Sequence, residues 1–302
     1  LYLQGEGAAE AMAEAIGGEG EVGIITGFFA VEAHELRRQG FVDYLAENYP
    51  DITIVGEVEN EDQGDTAYTQ AQDFMTANPD LAGIYVTAGG PFGSAAAVED
   101  AGMAGEVAVV SFDFVDETME FVEKGVISAT IGQGPYAQGH DPAVRLFNYL
   151  VGGVVPECGR MVTEAAVVTQ DNIAEYWTPA GGAVEEPAEE EMAELPAFDS
   201  MCAMDDEGVV VPVDMMPDEP LRIAVLGLEN NPFWIPVKEG ALAAAEELAP
   251  YNTTVEWIIP GETHMADDFT PGIEALIAQE YDAIATIAGD AGVAPFIDMA
   301  AE

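Results

Sequence analysis

Short apolar runs alternate with helical segments along most of this 302-residue chain. Each run is nearly continuous in apolar residues, which indicates a strand buried on both faces of a sheet. Strands separated by single helices are typical of βαβ units, in which the strands are parallel and helices cover both faces of the sheet. The predicted strands are residues 22–26, 52–58, 81–87, 107–112, 126–131, 221–228, 253–259 and 283–287. The predicted helices are residues 8–17, 31–48, 65–77, 93–101, 116–124, 137–151, 236–248 and 269–279, with a last one that starts near residue 291.

One segment interrupts this alternation. Residues 179–219 are rich in Pro, Glu, Ala, Asp and Met, which is typical of a linker. An apolar cluster within it, residues 209–213, is expected to dock on a folded lobe. The sequence therefore predicts two α/β segments, residues 1–178 and 221–302, joined by an acidic linker.

The charge of the chain excludes several classes of partner. Asp and Glu number 57 against seven Lys and Arg, which gives a formal net charge of −50. Nucleic acids and anionic membrane surfaces are bound through Lys and Arg, so both are excluded as partners. Salt screens the self-repulsion of such a chain, and we expect a halophilic source; an acid-rich secreted protein from a mesophile is the alternative.

The predicted strand at residues 223–228 leads into an aromatic loop. Asn230 and Asn231 come first, and Phe233 and Trp234 follow as the next helix begins. Open α/β sheets bind ligands at the carboxyl ends of their strands. Aromatic rings and amides there suit a small ligand that has both apolar faces and polar groups, although one aromatic residue could instead belong to the core and Asn231 could cap the helix. Replacing Trp234 with alanine is expected to weaken ligand binding and to leave the fold intact.

Three polar residues of the first segment are further candidates. Arg37 is one of only five arginines, and its guanidinium can hold two hydroxyl groups or pair with Asp113; Arg38 beside it is more typical of a surface position. Asp113 follows a predicted strand, where its carboxylate can accept hydroxyl hydrogens or can cap a helix. Gln133 follows the next strand, and its amide both donates and accepts. Weaker candidates are Tyr136 and Asn60.

The other reactive side chains predict no catalysis. Cys158 and Cys202 allow one disulfide, which an extracellular location would permit, or two free thiols. The three histidines lack metal-ligand spacing, and neither a nucleophile elbow nor a P-loop is present. We therefore expect no catalytic residue, no metal and no cofactor.

Short motifs in both segments match one protein family, in the same order within each segment. They are Asn-Asn-Pro-Phe-Trp at 230–234, Asp-Ala-Ile at 282–284, Gly27 with Arg37 and Gly-Phe at 40–41, Asn-Pro-Asp at 78–80, Ser-Phe-Asp at 111–113, Lys-Gly-Val-Ile-Ser-Ala-Thr at 124–130, Ile-Gly-Gln at 131–133 and Val-Thr-Gln-Asp-Asn at 168–172. On these residues the chain resembles the type I periplasmic sugar-binding proteins, the ribose-binding group of ABC-transporter receptors.

The resemblance implies a fold with the segments in permuted order. It implies two Rossmann-like α/β lobes with parallel sheets, the Venus-flytrap fold of type I periplasmic binding proteins. Residues 221–302 resemble the beginning of the N-terminal lobe, which is incomplete. Residues 1–178 resemble the C-terminal lobe plus the returning part of the N-terminal lobe. This order predicts a circular permutant or a fragment of two tandem receptors; we expect the fragment, because the linker composition suits spacing.

The resemblance also implies a function. It implies an extracytoplasmic solute-binding protein of an ABC importer, which closes about a hinge on a small sugar or polyol and is recognised by an ABC permease in the membrane. It implies a periplasmic or extracellular location, and it leaves open a lipid anchor in the full-length protein. Segments that pair with those of neighbouring copies would produce head-to-tail self-association.

The implied site residues and the alternatives complete the hypothesis. The implied ligand-binding residues are Asn231, Phe233, Trp234, Arg37, Asp113 and Gln133, with Asn230, Tyr136 and Asn60 as weaker candidates. Ala88 stands where the ribose group has a polar contact, which argues against ribose itself. The alternatives are the effector-sensing domain of a LacI-type transcription regulator, which would require a basic helix-turn-helix, and a Rossmann-like enzyme.

Overall fold

A computed structural model describes residues 1–156, 158, 160–163, 165–177, 201–204, 210–229, 232–287, 289 and 291–301. The chain divides into two compact units. The first unit comprises Leu1–Gln133 and Ala165–Val184, and the second comprises Gly134–Glu164 and Glu185–Glu302.

Helices and strands alternate through both units. The helices are α1 Tyr2–Ile16, α2 Glu32–Asn48, α3 Gly64–Ala77, α4 Pro91–Asp100, α5 Asp116–Glu123, α6 Pro135–Gly152, α7 Trp234–Leu248, α8 Ala266–Ala278 and α9 Ala294–Ala301. The strands are β1 Gly20–Thr26, β2 Ile52–Glu59, β3 Leu81–Val86, β4 Ala108–Phe112, β5 Ile127–Ile131, β6 Arg160–Thr163, β7 Val167–Val168, β8 Met201–Met204, β9 Leu221–Leu226, β10 Thr253–Ile258 and β11 Ala283–Ala285. Among the helices of the described ranges, none combines the length and the hydropathy that a bilayer span requires.

The first unit is built on a six-stranded sheet in the order β2-β1-β3-β4-β5-β7. All neighbours are parallel except β7, which runs antiparallel to β5. Helices α1 and α2 cover one face and α3, α4 and α5 cover the other. Ile24 and Ile25 of β1 are fully buried on opposite faces, as expected for successive residues of a strand covered on both sides. The predicted parallel α/β fold is confirmed here.

The second unit contains a smaller parallel sheet. Strands β10, β9 and β11 form it in that order, and β6 and β8 form a separate parallel pair. Helices α6 and α7 pack on one face through Ala143, Phe147 and Leu248. Helix α8 packs on the other face with Phe269.

The segment predicted to be a linker contains ordered structure. Strand β8 lies within it, so the linker prediction is wrong at those four residues, which pair with β6. The predicted docking of residues 209–213 is confirmed for Val210 and Val213, which pack on the apolar cluster of the second unit. The Asn148 amide fixes this segment: Nδ2 donates to Val211 O at 2.9 Å, and Val213 N donates to Oδ1 at 2.8 Å. The rest of the linker, residues 178–200 and 205–209, lies outside the described residues.

Two glycines let α1 and α2 cross at close range. A Cβ atom on Gly5 would lie 2.1 Å from the backbone oxygen of Arg37, and one on Gly40 would lie 2.1 Å from that of Tyr2. Both distances are far below van der Waals contact. Helix α1 begins at Tyr2, well before the predicted residue 8. Gly5 is unfavourable for a helix in isolation, so the sequence pattern did not indicate this start, but the close packing on α2 requires a glycine at that position.

Replacing Gly5 with alanine is expected to lower the free energy of unfolding of the first unit by about 1–3 kcal/mol, since the added methyl group must push α1 away from α2. Gly7 in the same helix is the matched control, because a Cβ there would meet nothing within 4 Å. Gly7→Ala should be neutral or stabilising by up to about 1 kcal/mol. Urea unfolding in high salt measures both, and equal effects would contradict the packing argument.

Candidate functional site

Polar side chains converge at the carboxyl edge of the sheet in the first unit. The turns that follow β1 to β5 lie at this edge, because parallel strands all end on the same side. They carry Asn60, Asp113 and Gln133. Arg37 reaches the same group from the second turn of α2.

Arg37 is held in a single orientation by three contacts. Its Nη1 donates to Thr87 O at 3.0 Å and its Nη2 donates to Gln133 Oε1 at 2.6 Å. Its guanidinium carbon lies 4.0 Å from the centroid of the Phe112 ring, a cation–π distance. The residue is only 3% exposed. A buried guanidinium with a fixed plane is suited to directional recognition of hydroxyl groups.

Gln133 connects Arg37 to Asp113. Its Nε2 donates to Asp113 Oδ1 at 2.5 Å while its Oε1 accepts from Arg37. Helix α5 has Val115 as its N-cap without a side-chain hydrogen bond, so the alternative that Asp113 caps this helix is not what the structure contains. The guanidinium, amide and carboxylate therefore form one continuous chain at the sheet edge.

The backbone of Asp113 is strained. Its φ of +74° lies in the left-handed region, which non-glycine residues seldom adopt. Its amide donates to Ile131 O at 2.9 Å, and its carbonyl accepts from Thr130 Oγ1 at 3.0 Å, so the neighbouring strand holds it in this conformation. Such strain is often found at binding sites, where it fixes the direction of a side chain.

Burial and charge act against each other in this chain of groups. Burial raises the pKa of Asp113, while Arg37 and the hydrogen bond from Gln133 act to lower it. Burial lowers the pKa of Arg37, and Asp113 opposes that shift. Burial therefore disfavours the charged form of both residues, and each residue acts on the pKa of the other in the opposite direction.

Asn60 and Asp62 form a second polar group at the same edge. Asn60 is fully buried, and its Nδ2 donates to Gly89 O at 2.7 Å. Asp62 accepts from Gly89 N through Oδ1 at 2.9 Å. Sequence reasoning placed Asn60 only as a weak candidate and missed Asp62, although both lie within four residues of the end of a predicted strand.

Aromatic side chains follow β1 at this edge. Phe28 and His34 have stacked rings with centroids 6.4 Å apart, and Phe28 N donates to His34 Nδ1 at 3.1 Å. Phe29 is 42% exposed. Sequence reasoning did not assign Phe28 or Phe29 to the site. An exposed ring beside polar groups is a suitable surface for the C–H face of a sugar.

The aromatic pair of the second unit is less exposed than expected. Trp234 is only 4% exposed and belongs to the core with Leu226 and Phe269. Phe233 is partly buried and meets the Trp234 ring edge to face at a centroid distance of 5.3 Å. This burial corrects the expectation that Trp234 can be removed without affecting the fold. Ligand contact by either ring stays a prediction.

The remaining candidates are placed as follows. Asn230 and Asn231 lie outside the described residues. The Tyr136 ring stacks on the His140 ring in the first turns of α6, with ring centroids 5.9 Å apart. The contact of Tyr136 with a ligand stays a prediction. Cys158 is buried, but the side chain of Cys202 lies outside the described part of the chain, so their pairing also stays a prediction.

A parallel α/β unit with several polar side chains brought together at its strand ends is typical of proteins that bind small ligands there. Residues 1–153 match the family described as "Periplasmic binding protein domain". The match extends over half of the chain, and the chain belongs to this family.

Solved structures of sugar receptors resemble the chain. A sugar-binding protein of a sugar ABC transporter from Bacillus halodurans is 29% identical with a TM-score of 0.52, over 58% of this chain and 63% of that chain. An ABC transporter solute-binding protein from Agrobacterium vitis bound with α-D-tagatopyranose is 29% identical with a TM-score of 0.53, over 58% of each chain. One from Actinobacillus succinogenes with bound D-allose is 30% identical with a TM-score of 0.54, over 58% of this chain and 60% of that chain. The match thus spans about three-fifths of the length of these proteins.

Proposed function

We propose that this protein is the extracytoplasmic solute-binding protein of an ABC importer and that it binds a small sugar or polyol. The observation that carries the proposal is the chain from Arg37 through Gln133 to Asp113 at the carboxyl edge of the first unit's sheet. It offers a fixed donor, an amide and an acceptor side by side, which is what adjacent hydroxyl groups of a sugar require.

The charges at this edge favour a neutral ligand. Two acidic side chains, Asp62 and Asp113, accompany the single guanidinium of Arg37 at this edge, so an anionic ligand would meet more acidic than basic groups. A phosphate or dicarboxylate would be repelled, whereas hydroxyl groups can donate to the carboxylates and accept from the guanidinium. The similar proteins with bound D-allose and α-D-tagatopyranose support a sugar as the ligand.

The mechanism follows from the family. Ligand binding favours a closed state of two lobes, and a membrane permease recognises that state. Arg37, Asp113 and Gln133 of the first unit are the proposed ligand-binding residues, and Phe233 and Asn231 are kept as further candidates from the sequence. The location is then periplasmic or extracellular. We also retain as proposals the swapped segment order and head-to-tail association of copies.

A thermal-shift screen in high and in low salt, followed by titration calorimetry, tests the function. D-Allose, D-tagatose and D-arabinose are the first ligands, with inorganic phosphate and neutral amino acids as controls. A sugar at one hundred times its Kd should stabilise the protein by about 2.7 kcal/mol and raise its Tm accordingly. A cooperative melt without a shift for any sugar or polyol would contradict the proposal. A shift with an amino acid alone would overturn the ligand class and keep the receptor class.

A further inference from the structure

The turn that follows β3 is held by side chains from the turn that follows β2. Asn60 Nδ2 donates to Gly89 O at 2.7 Å, and Gly89 N donates to Asp62 Oδ1 at 2.9 Å. Asp62 N donates in turn to Asn60 Oδ1 at 3.1 Å, which makes the holding turn rigid. The turn after β2 therefore holds both the N–H and the carbonyl group of Gly89.

The turn after β3 also contains Thr87, a hydrogen-bond partner of Arg37, the proposed binding arginine. Thr87 lies two residues before Gly89, and its carbonyl oxygen accepts from Arg37 Nη1 at 3.0 Å. Helix α4 begins at Pro91, so Thr87 and Gly89 share one short turn with little freedom to compensate for a displaced peptide. Thr87 N donates to Ile25 O at 3.0 Å, so β1 holds the residue on one side and the position of Gly89 acts on its carbonyl from the other.

We propose that Asp62 is a positioning residue of the binding site, which fixes Gly89 and, through it, the Thr87 carbonyl that orients Arg37. The proposal rests on the proposed function, since it assigns Arg37 to the ligand. It makes Asp62 a determinant of affinity through the geometry of Arg37, without requiring a contact between Asp62 and the sugar.

Two glycines make room for this carboxylate. A Cβ on Gly27 would lie 2.3 Å from Asp62 Oδ1 and 2.7 Å from the His34 ring, and a Cβ on Gly89 would lie 2.9 Å from Asp62 Cβ. Asp62 has a φ of +57° and is only 6% exposed. A buried acid on a strained backbone lowers stability, and such a cost is typical of residues kept for function.

Several charged and titratable groups surround Asp62. Arg37 and His34 approach from α2, and Asp113 approaches from the turn after β4. Burial raises the pKa of Asp62 from 3.8 to about 6; the hydrogen bond from Gly89 acts to lower it, Asp113 raises it and Arg37 lowers it. Between these two pH values the folded protein retains a proton that the unfolded chain has lost. Stability from this group is therefore greatest at low pH and falls as the pH rises through about 6.

Protonation of Asp62 makes it a weaker acceptor for Gly89 N, so affinity should fall as the pH drops below about 6.

The variants Asp62→Ala, Asp62→Asn and Asp113→Asn separate the role of Asp62 from that of Asp113. Glu61→Ala is the matched control, because Glu61 is exposed and has a similar positive φ of +54°, so that alanine meets the same backbone strain. Titration calorimetry against the sugar found in the screen gives Kd, and amide hydrogen exchange of Gly89 by NMR reports the turn without any ligand.

The expected results differ among the variants. Asp62→Ala should raise Kd about tenfold and speed the exchange of the Gly89 amide, since a charged acceptor is lost. Asp62→Asn should keep Kd within about threefold at neutral pH, because its amide oxygen accepts the same hydrogen bond, and should remove the loss of affinity near pH 6. Glu61→Ala should change neither quantity, and Asp113→Asn should retain the Gly89 protection.

Each contrary result has one meaning. Unchanged Kd in a folded Asp62→Ala variant would overturn the positioning role. A pH step that persists in Asp62→Asn and disappears in Asp113→Asn would overturn Asp62 as the titrating group. If the unsubstituted protein binds no sugar, the proposed function fails, while Gly89 exchange still decides whether Asp62 holds the turn: unchanged exchange in Asp62→Ala would overturn that as well.

Discussion

Replacing Arg37 with alanine is expected to abolish measurable sugar binding, with Kd raised about one hundredfold or more. The substitution removes the donor to the ligand and the two hydrogen bonds that Arg37 makes to Thr87 O and to Gln133 Oε1. Hydrogen bonds to charged groups are each worth about 1.5–3 kcal/mol, and about 2.8 kcal/mol corresponds to a hundredfold change in Kd. Gln133 also loses the partner that orients its amide toward Asp113.

Arg38 supplies the matched control for this experiment. It is the next residue of α2, and its partly exposed guanidinium pairs with Glu35 and Glu57 at 2.6 Å. Arg38→Ala should change Kd by less than about twofold, because such partly exposed pairs contribute little. Arg37→Lys adds a test of geometry, since it retains the charge and loses the planar fork. Calorimetry that finds equal Kd values for Arg37→Ala and Arg38→Ala would remove Arg37 from the site.

Replacing Trp234 with alanine is expected to destabilise the second unit by about 3–5 kcal/mol, the usual cost of removing a large buried aromatic side chain. Its ring lies in the core with Phe269 and within 6.4 Å of the Trp257 ring centroid. Loss of the ring leaves a cavity that the sheet and α8 fill only in part. Guanidinium unfolding at fixed salt, followed by far-ultraviolet circular dichroism, measures the loss.

The neighbouring Ile235 tests whether burial is the cause. It is 60% exposed on the same helix, so Ile235→Ala should stay within about 0.5 kcal/mol of the unsubstituted protein. A Trp234→Ala variant as stable as Ile235→Ala would show that the ring is not part of the core in solution. The effect of Trp234→Ala on sugar affinity could then be measured in a folded protein, as the sequence analysis expects.

The sheet and much of its polar edge could be predicted from the sequence. Continuous apolar strands joined by single helices have few folds available, and parallel strands place their following turns together. Asp113 and Gln133 were identified from their positions after predicted strands and from the family motifs that contain them. Arg37 was identified because basic residues are so few in this chain.

The features that were missed depend on contacts between distant parts of the chain. The role of Asp62 requires Gly89, which lies 27 residues away and is recognisable as its partner only in three dimensions. Trp234 follows a strand as a binding residue would, but α8 covers it, and no periodicity near residue 234 indicates that. The hydrogen bonds of Gln133 to two charged groups likewise could not be derived from the spacing along the chain.

The contacts of Arg37 have a consequence for a protein with so many negative charges. Its direct partners are a backbone carbonyl, a side-chain amide and an aromatic ring, none of which carries a formal charge. Dissolved ions weaken the attraction between exposed charges, but they scarcely affect dipoles enclosed within a packed interior. The outer surface must therefore adapt to the ionic strength of its surroundings, whereas the proposed binding arginine is insulated from it. Solubility and recognition can then change independently of each other in evolution.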